Sequence, residues 1–310
     1  MELPQSFIET VHNVFGDEGR TWLPTLPDLL QQCREKWDLP EGVRSSHLSM
    51  GYIEFTTLPN DLPVALKLCI HNPELFTEME ALQVYDGKGA VRFIDADRQL
   101  GAILMERVQP GTMLLAHGDN REQTEIAAQI MRQLPAPVPA THSMPMFTRW
   151  VTRAFHDVRT ELDPTERMPR KLLDKTETAL NEIVHNSPGD VVLHGDLHHE
   201  NILFDQQQGW VAIDPKGAIG PPVLELGRFM QNQLPNSQSG DDWFEQRVAL
   251  VDERIGIFSE ILRYTREEIA ASALVDCVLS HCWGLEEEGV SLTWGDGVLL
   301  GQYLCEIADL

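Results

Sequence analysis

From residue 192 to residue 203 the chain reads Val-Leu-His-Gly-Asp-Leu-His-His-Glu-Asn-Ile-Leu, and residues 212–217 read Ala-Ile-Asp-Pro-Lys-Gly. Asp196 and Asn201 stand five residues apart, and Asp214 follows two short apolar runs that flank the polar turn 205–209. Apolar runs on either side of a turn ending in Gly read as a hairpin. Such a hairpin places Asn201 at the entry of one strand and Asp214 at the exit of the other. This is the spacing that ATP-dependent phosphoryl transfer needs. One carboxylate orients the attacking hydroxyl, while the amide and the second carboxylate hold the magnesium ions of the nucleotide.

The rest of the chain arranges itself around that block. Residues 5–38 read as two helical stretches broken by Pro24 and Pro27. Strands are expected over 47–57 and 63–70, joined by the turn Pro59-Asn60-Asp61. Asn72-Pro73-Glu74 then offers an N-cap, a first-turn proline and an early acid, so a helix is expected from there to about Tyr85. Two further strands, 91–96 and 101–108, complete a small antiparallel sheet. Beyond Gly111 the pattern is helical, interrupted by the Pro-rich stretch 134–145 and by the strand–loop–strand block 191–214, and it is helical again from Pro222. The expected fold class is α+β in two lobes: residues 1–107 with the sheet and one key helix, residues 108–310 mainly helical, and a hinge at 106–110. Clefts between such lobes commonly hold cofactors.

In the strand around Lys67, alternation puts Val64, Leu66, Leu68 and Ile70 on one face and Ala65, Lys67 and Cys69 on the other. Small neighbours leave room for a flat ring while the ammonium reaches phosphates. On the following helix Leu75, Met79 and Leu82 form an apolar stripe. Glu78 falls among them, whereas Glu80 lies about 200° away at 100° per residue. Glu78 is therefore the expected partner of Lys67. His194 is expected to support its loop by hydrogen bonding. An alternative takes His194, Asp196, His198 and His199 as transition-metal ligands of a hydrolase, but that order leaves Asn201, Asp214 and Lys67 without roles.

Composition narrows the partners. With 24 Lys and Arg against 48 Asp and Glu, the net charge is −24, which argues against nucleic acid and anionic lipid. It suits either solubility or attraction of a cationic substrate. No run approaches the roughly 18 apolar residues of a membrane span. Five cysteines without a CxxC pair, and an N-terminus lacking a basic or apolar leader, point to a reducing cytoplasm.

With these residues in view, the chain resembles the aminoglycoside phosphotransferase-like kinases, most closely the streptomycin and hydroxyurea resistance group. His194-Gly195-Asp196-Leu197-His198 with Asn201 resembles its catalytic loop, and Asp214-Pro215-Lys216-Gly217 its metal-binding segment. Trp37-Asp38-Leu39, Val64-Ala65-Leu66-Lys67, Glu78 with Ala81-Leu82, residues 85–92, Leu104-Met105-Glu106-Arg107 and residues 282–289 are similar in order and spacing. The resemblance implies a protein-kinase-like fold using ATP and Mg²⁺ on a hydroxyl of a small molecule. It implies Asp196 as catalytic base, Asn201 and Asp214 as metal ligands, and Lys67 on the nucleotide phosphates with Glu78 beside it. Ser46, Glu106 and Val108 are further nucleotide contacts, although residues 44–51 lack a Gly-rich phosphate loop. The acceptor is expected to be a small cationic or polyhydroxylated molecule, streptomycin-like first and a metabolite such as an amino sugar second. A catalytically silent nucleotide-binding protein on this fold is the remaining reading. The expected oligomeric state is a monomer or weak homodimer. Acidic candidates for holding the acceptor are Glu225, Asp241, Asp242, Glu286, Glu287 and Glu288. Trp243, Trp283 and Trp294 read as core or interface residues rather than stacking platforms.

Overall fold

The computed structural model describes residues 2–162, 167–286 and 294–310. Two helices open the chain, α1 (Gln5–Trp22) and α2 (Leu26–Trp37), joined by a 3-10 turn at Leu23–Thr25. Pro24 and Pro27 fall at the starts of that turn and of α2, where a missing N–H costs nothing. Strands β1 (Val43–Arg44), β2 (Tyr52–Thr57) and β3 (Pro63–Leu68) follow. Helix α3 (Pro73–Tyr85) separates them from β4 (Phe93–Asp97) and β5 (Ala102–Glu106). The five strands form an antiparallel sheet in the order β1-β2-β3-β5-β4. The strand expected over 47–57 occupies only 52–57, because residues 45–51 form a loop between β1 and β2.

The two faces of β3 divide as its alternation requires. Val64, Leu66 and Leu68 pack with Phe7, Val11, Leu26 and Leu30 of the first two helices. On the other face Leu75, Met79 and Leu82 of α3 pack with Ile103 and Met105 of β5. Each such side chain contributes about 1.5–3 kcal/mol by leaving water. A buried polar tie crosses the outer layer. The Glu54 carboxylate of β2 accepts from Arg34 of α2 at 2.8 and 3.0 Å and from the Gly42 N–H at 3.0 Å. Asn72 caps α3 as its sequence suggests, its Oδ1 accepting from Leu75 N–H at 2.8 Å.

The large lobe begins with β6 (Pro110–Met113), α4 (Asn120–Gln133), β7 (Ala136–Pro137), α5 (Phe147–Asp157) and α6 (Arg170–Asn186). Then come β8 (Val191–Leu193), β9 (Ile202–Asp205), β10 (Gly209–Ala212) and β11 (Ala218–Gly220). It ends with α7 (Gly227–Gln231), α8 (Trp243–Leu262), α9 (Arg266–Glu286) and α10 (Trp294–Ile307). The hairpin β9–β10 turns where expected, and β6 adds to it in the order β10-β9-β6. A second small sheet runs β11-β8-β7. Neither β6, β7 nor β11 has a local signature in a stretch read as helix or loop; each is drawn into extended form by a distant partner strand.

Helix α9 holds no uninterrupted apolar run of a span's length, yet it is long and apolar enough, by length and composition, to cross a membrane; 67% of its apolar window is buried inside the protein. It is the central helix of the large lobe, with Ile269, Ala273, Leu274, Val278 and Leu279 all in one core.

Helix α3 belongs to both lobes. Its Ala81 and Tyr85 sit in the large-lobe core. The Thr77 hydroxyl donates to Lys216 O at 2.5 Å and the Tyr85 hydroxyl to Val192 O at 3.3 Å. Gly217 has φ +71°, and a Cβ there would stand 2.5 Å from Thr77 O, so only glycine lets this helix approach so closely.

Candidate active site

Lys67 projects from β3 toward α3, and its Nζ lies 2.6 Å from Glu78 Oε1. The same ammonium is 3.2 Å from Asp214 Oδ1, at the exit of β10. Burial alone would lower the lysine pKa, but Asp214 and Glu78 together raise it well above its usual value, so it stays charged. The pair expected from periodicity therefore forms, and it reaches across to the hairpin. Glu80, on the far side of the helix, instead holds Ser143 and Arg98.

Asp214 adopts a left-handed backbone, φ +57°, immediately before Pro215. Non-glycine residues rarely hold this conformation, and an Asp is among those that tolerate it best. Strain of about 1–3 kcal/mol at such a position is typical of sites where a side chain is aimed by its surroundings. The Ile213 N–H donates to Asn201 O at 2.9 Å, which locks the two ends of the hairpin together. The Asn201 amide in turn donates from Nδ2 to Asp196 O at 2.9 Å. Its Oδ1 and the Asp214 carboxylate are hard oxygen donors of the type a divalent magnesium or calcium ion takes, and this donor set fits such an ion.

Asp196 is held from two sides. Arg228 Nε donates to Oδ1 at 2.9 Å, and His198 Nε2 lies 3.8 Å from Oδ2. Arg228 also donates to Ser280 Oγ at 3.0 Å, where Gln231 Nε2 donates as well, at 2.9 Å. Sequence reading missed Arg228, which lies 32 residues from its partner. No local pattern signals that pairing.

His194 behaves as expected. It is fully buried, its Nε2–H donates to Ile213 O at 2.8 Å and its Nδ1 accepts from Asp196 N–H at 3.3 Å, a tautomer assigned from the partners. Burial lowers its pKa to about 4, so the ring is neutral near pH 7 and serves the loop's shape. His199 is also buried, stacked on Phe229 at 4.0 Å between centroids, with Nδ1 bonded to Asn232 Oδ1 at 2.7 Å. The two rings thus have separate structural duties. Among the described residues no three His, Cys, Asp or Glu side chains form a metal-holding group, and the hydrolase alternative loses its ligands.

Glu225 requires a correction. It was expected among the acidic residues that meet the acceptor, yet it is 7% exposed and lies behind the catalytic loop. Its two oxygens accept the N–H groups of His194 at 2.6 Å and Gly195 at 3.1 Å. Val223, Leu224 and Leu226 around it are all buried, and that apolar setting was the available signal. Burial raises its pKa to about 7 against the pull of those two donors. Asp241 and Asp242 are exposed ahead of α8. The Glu286 side chain and Glu287 and Glu288 lie outside the described residues, as does the Trp294 side chain. Trp243 packs on Phe244 and Arg247, and Trp283 on Trp150.

Ser46 is exposed in the loop between β1 and β2, whose neighbouring Ser45 is buried with its Oγ bonded to His47 O at 3.1 Å. The end of that loop, Gly51, abuts Cys69 and the Lys67 stem. Glu106 ends β5, within 3.5 Å of Arg92, and Val108 packs at the edge of the cluster beneath α3. The structure thus gathers Lys67, Glu78, Asp214, Asn201 and Asp196 through a continuous set of contacts, and sets Ser46, Glu106 and Val108 on the loop and hinge flanking it.

A sheet lobe with one ion-paired helix, joined to a helical lobe that carries a hairpin between its two oxygen-bearing ends, is the protein-kinase-like phosphotransferase fold. Amicoumacin kinase, solved with AMP-PNP and Ca²⁺, superposes with a TM-score of 0.56 at 11% identity, over 90% of this chain and 93% of that one. The chain belongs to the aminoglycoside/hydroxyurea antibiotic resistance kinase family, whose sequence model matches residues 51–289. Streptomycin 6-kinase of Streptomyces griseus is 28% identical over 93% of this chain and 92% of its own length. Hydroxyurea phosphotransferase of Kitasatospora aureofaciens is 28% identical over 94% and 83%. The protein is accordingly an enzyme, a small-molecule phosphotransferase with an alcohol group as acceptor.

Proposed function

We propose that this enzyme transfers the γ-phosphoryl group of ATP to a hydroxyl of a streptomycin-like aminoglycoside. The observation that carries the reading is the bridge from Glu78 through Lys67 to Asp214, which joins the small-lobe lysine to the hairpin beside Asp196. Lys67 binds the nucleotide phosphates, and Glu78 keeps its ammonium in place. Asn201 and Asp214 would hold Mg²⁺, which supplies charge neutralisation at the phosphates. Asp196 orients the acceptor hydroxyl and takes its proton. Arg228 fixes one of its oxygens, and the other, 3.8 Å from His198 Nε2, meets the acceptor. Positioning and charge neutralisation are the main demands of this reaction. An acidic chain surface and the named activity of the streptomycin kinase relatives support a cationic acceptor.

A coupled assay of ADP release over streptomycin, other aminoglycosides, hydroxyurea and amino sugars tests the proposal. Streptomycin should give saturable turnover that Asp196→Ala abolishes while the variant's circular dichroism matches the parent. Undiminished turnover in Asp196→Ala would refute the assignment of the base. Turnover with amino sugars alone would refute the acceptor.

A further inference from the structure

Lys216 lies two residues beyond Asp214, and its backbone is pinned. Its carbonyl accepts from Thr77 Oγ1 at 2.5 Å, and the next N–H, of Gly217, donates to His194 O at 3.2 Å. Only the side chain is free to relocate. Its ammonium sits 5.1 Å from the centroid of the Trp283 indole. That indole packs edge-on against Trp150 at 6.1 Å, on the same helix as Asp276, two turns earlier. Asp276 is 5% exposed and lies within electrostatic reach of Lys216, Arg228 and Asp196. An aromatic face is suited to an organic cation. Here a cation of the protein itself occupies it, on the segment that also carries Asp214.

We propose that the Trp283 face is a subsite for an ammonium or guanidinium group of the acceptor, and that Lys216 is its resident until the acceptor arrives. The incoming cation displaces the Lys216 ammonium, which turns toward the phosphoryl group in transit. This rests on the kinase reading given above. In the step served, the bond between the β,γ-bridging oxygen and the γ-phosphorus breaks and its electron pair leaves with ADP. A new bond joins phosphorus to the acceptor oxygen, and the hydroxyl proton passes to Asp196. Lys216 keeps its protons throughout and contributes charge. The arrangement couples phosphoryl transfer to acceptor occupancy and restrains transfer to water.

The cation site is tested on the nucleotide-free protein carrying ¹⁵N-labelled tryptophan. The Trp283 indole resonance is identified by its loss in Trp283→Phe, and ethylguanidinium chloride is titrated against sodium chloride. A saturable shift with ethylguanidinium alone is expected, and in Lys216→Met its midpoint should fall about two- to fivefold as the competing cation is removed. A shift that sodium chloride reproduces, or an unchanged midpoint in Lys216→Met, overturns the subsite. The second arm measures hydrolysis of MgATP without acceptor. Ethylguanidinium should stimulate the unmodified enzyme and leave Lys216→Met unstimulated, while Trp283→Leu should hydrolyse ATP faster from the start. Equal rates in all three overturn the role of Lys216. Absence of ATP turnover with every acceptor would overturn the kinase reading and the phosphoryl half of this inference together, and the titration judges the cation site separately.

Discussion

Replacing Glu225 by Gln removes a negative charge from behind the catalytic loop at almost constant volume. The carboxylate accepts two backbone N–H groups, of His194 and Gly195, whereas a carboxamide accepts only one through its oxygen and turns an NH₂ toward the other. That leaves a buried donor unpaired at a cost of about 1–3 kcal/mol, independent of pH. A second effect depends on pH. Burial raises the Glu225 pKa from 4.5 to about 7, so between those values the folded state binds more protons than the unfolded one. Stability from this group is therefore full below pH about 4.5 and is lost as pH rises through about 7. The span is worth about 3 kcal/mol, at 1.36 kcal/mol per pKa unit. Glu225→Gln lacks that loss, so its stability relative to the parent should climb with pH by up to about 3 kcal/mol. Urea denaturation of both proteins at pH 5, 6, 7 and 8 gives the difference curve. A flat or falling difference would refute the reasoning, because it would mean that the two N–H donors, rather than burial, decide the ionisation. The kcat of Glu225→Gln should also drop, since Asp196 follows directly on the two residues whose N–H groups it holds.

The same linkage runs the opposite way for His194, whose pKa is lowered to about 4; its contribution is present above pH 6.5 and lost as pH falls through about 4, so His194→Gln should flatten the acid limb of the stability curve. Glu78→Gln weakens the buried tie to Lys67, which keeps Asp214 beside it, and should cost about 1–3 kcal/mol in urea denaturation while raising the KM for nucleotide. Arg228→Ala should lower kcat about 10- to 100-fold with little change in acceptor KM, and Arg228→Lys should not restore it, because an ammonium lacks the fork that meets Asp196 and Ser280 together. Arg34→Ala removes the cation beside the buried Glu54 carboxylate and leaves it the Gly42 N–H and the Tyr52 hydroxyl, so it should destabilise by about 1–3 kcal/mol and leave kcat/KM unchanged, a control for stability effects alone.

Sequence pattern reached far in the small lobe because its elements are built from local rules. Period-two alternation placed Lys67 and its neighbours, a first-turn proline with an Asn cap placed α3, and helical phase chose Glu78 over Glu80. In the large lobe the catalytic block was legible because Asp196, Asn201 and Asp214 are close in the chain. What escaped depends on contacts between distant residues. Strands β6, β7 and β11 are too short to carry a periodic signal. Arg228 and Glu225 are ordinary charged residues until the chain folds Asp196 and its preceding backbone onto them. Glu225 was misread because a carboxylate was assumed to seek solvent or substrate, when two backbone donors give it a third option.

The ties of α3 to the large lobe have a mechanical consequence. Rotating this helix outward would separate Lys67 from Glu78, which is the usual way of disabling a site of this architecture. Here that motion would also pull the Thr77 hydroxyl off Lys216 O, lift Gly217 from its close seat and expose Ala81 and Tyr85. The helix is a strut shared by two bodies rather than a lever, so the Lys67–Glu78 pair is set when the chain folds.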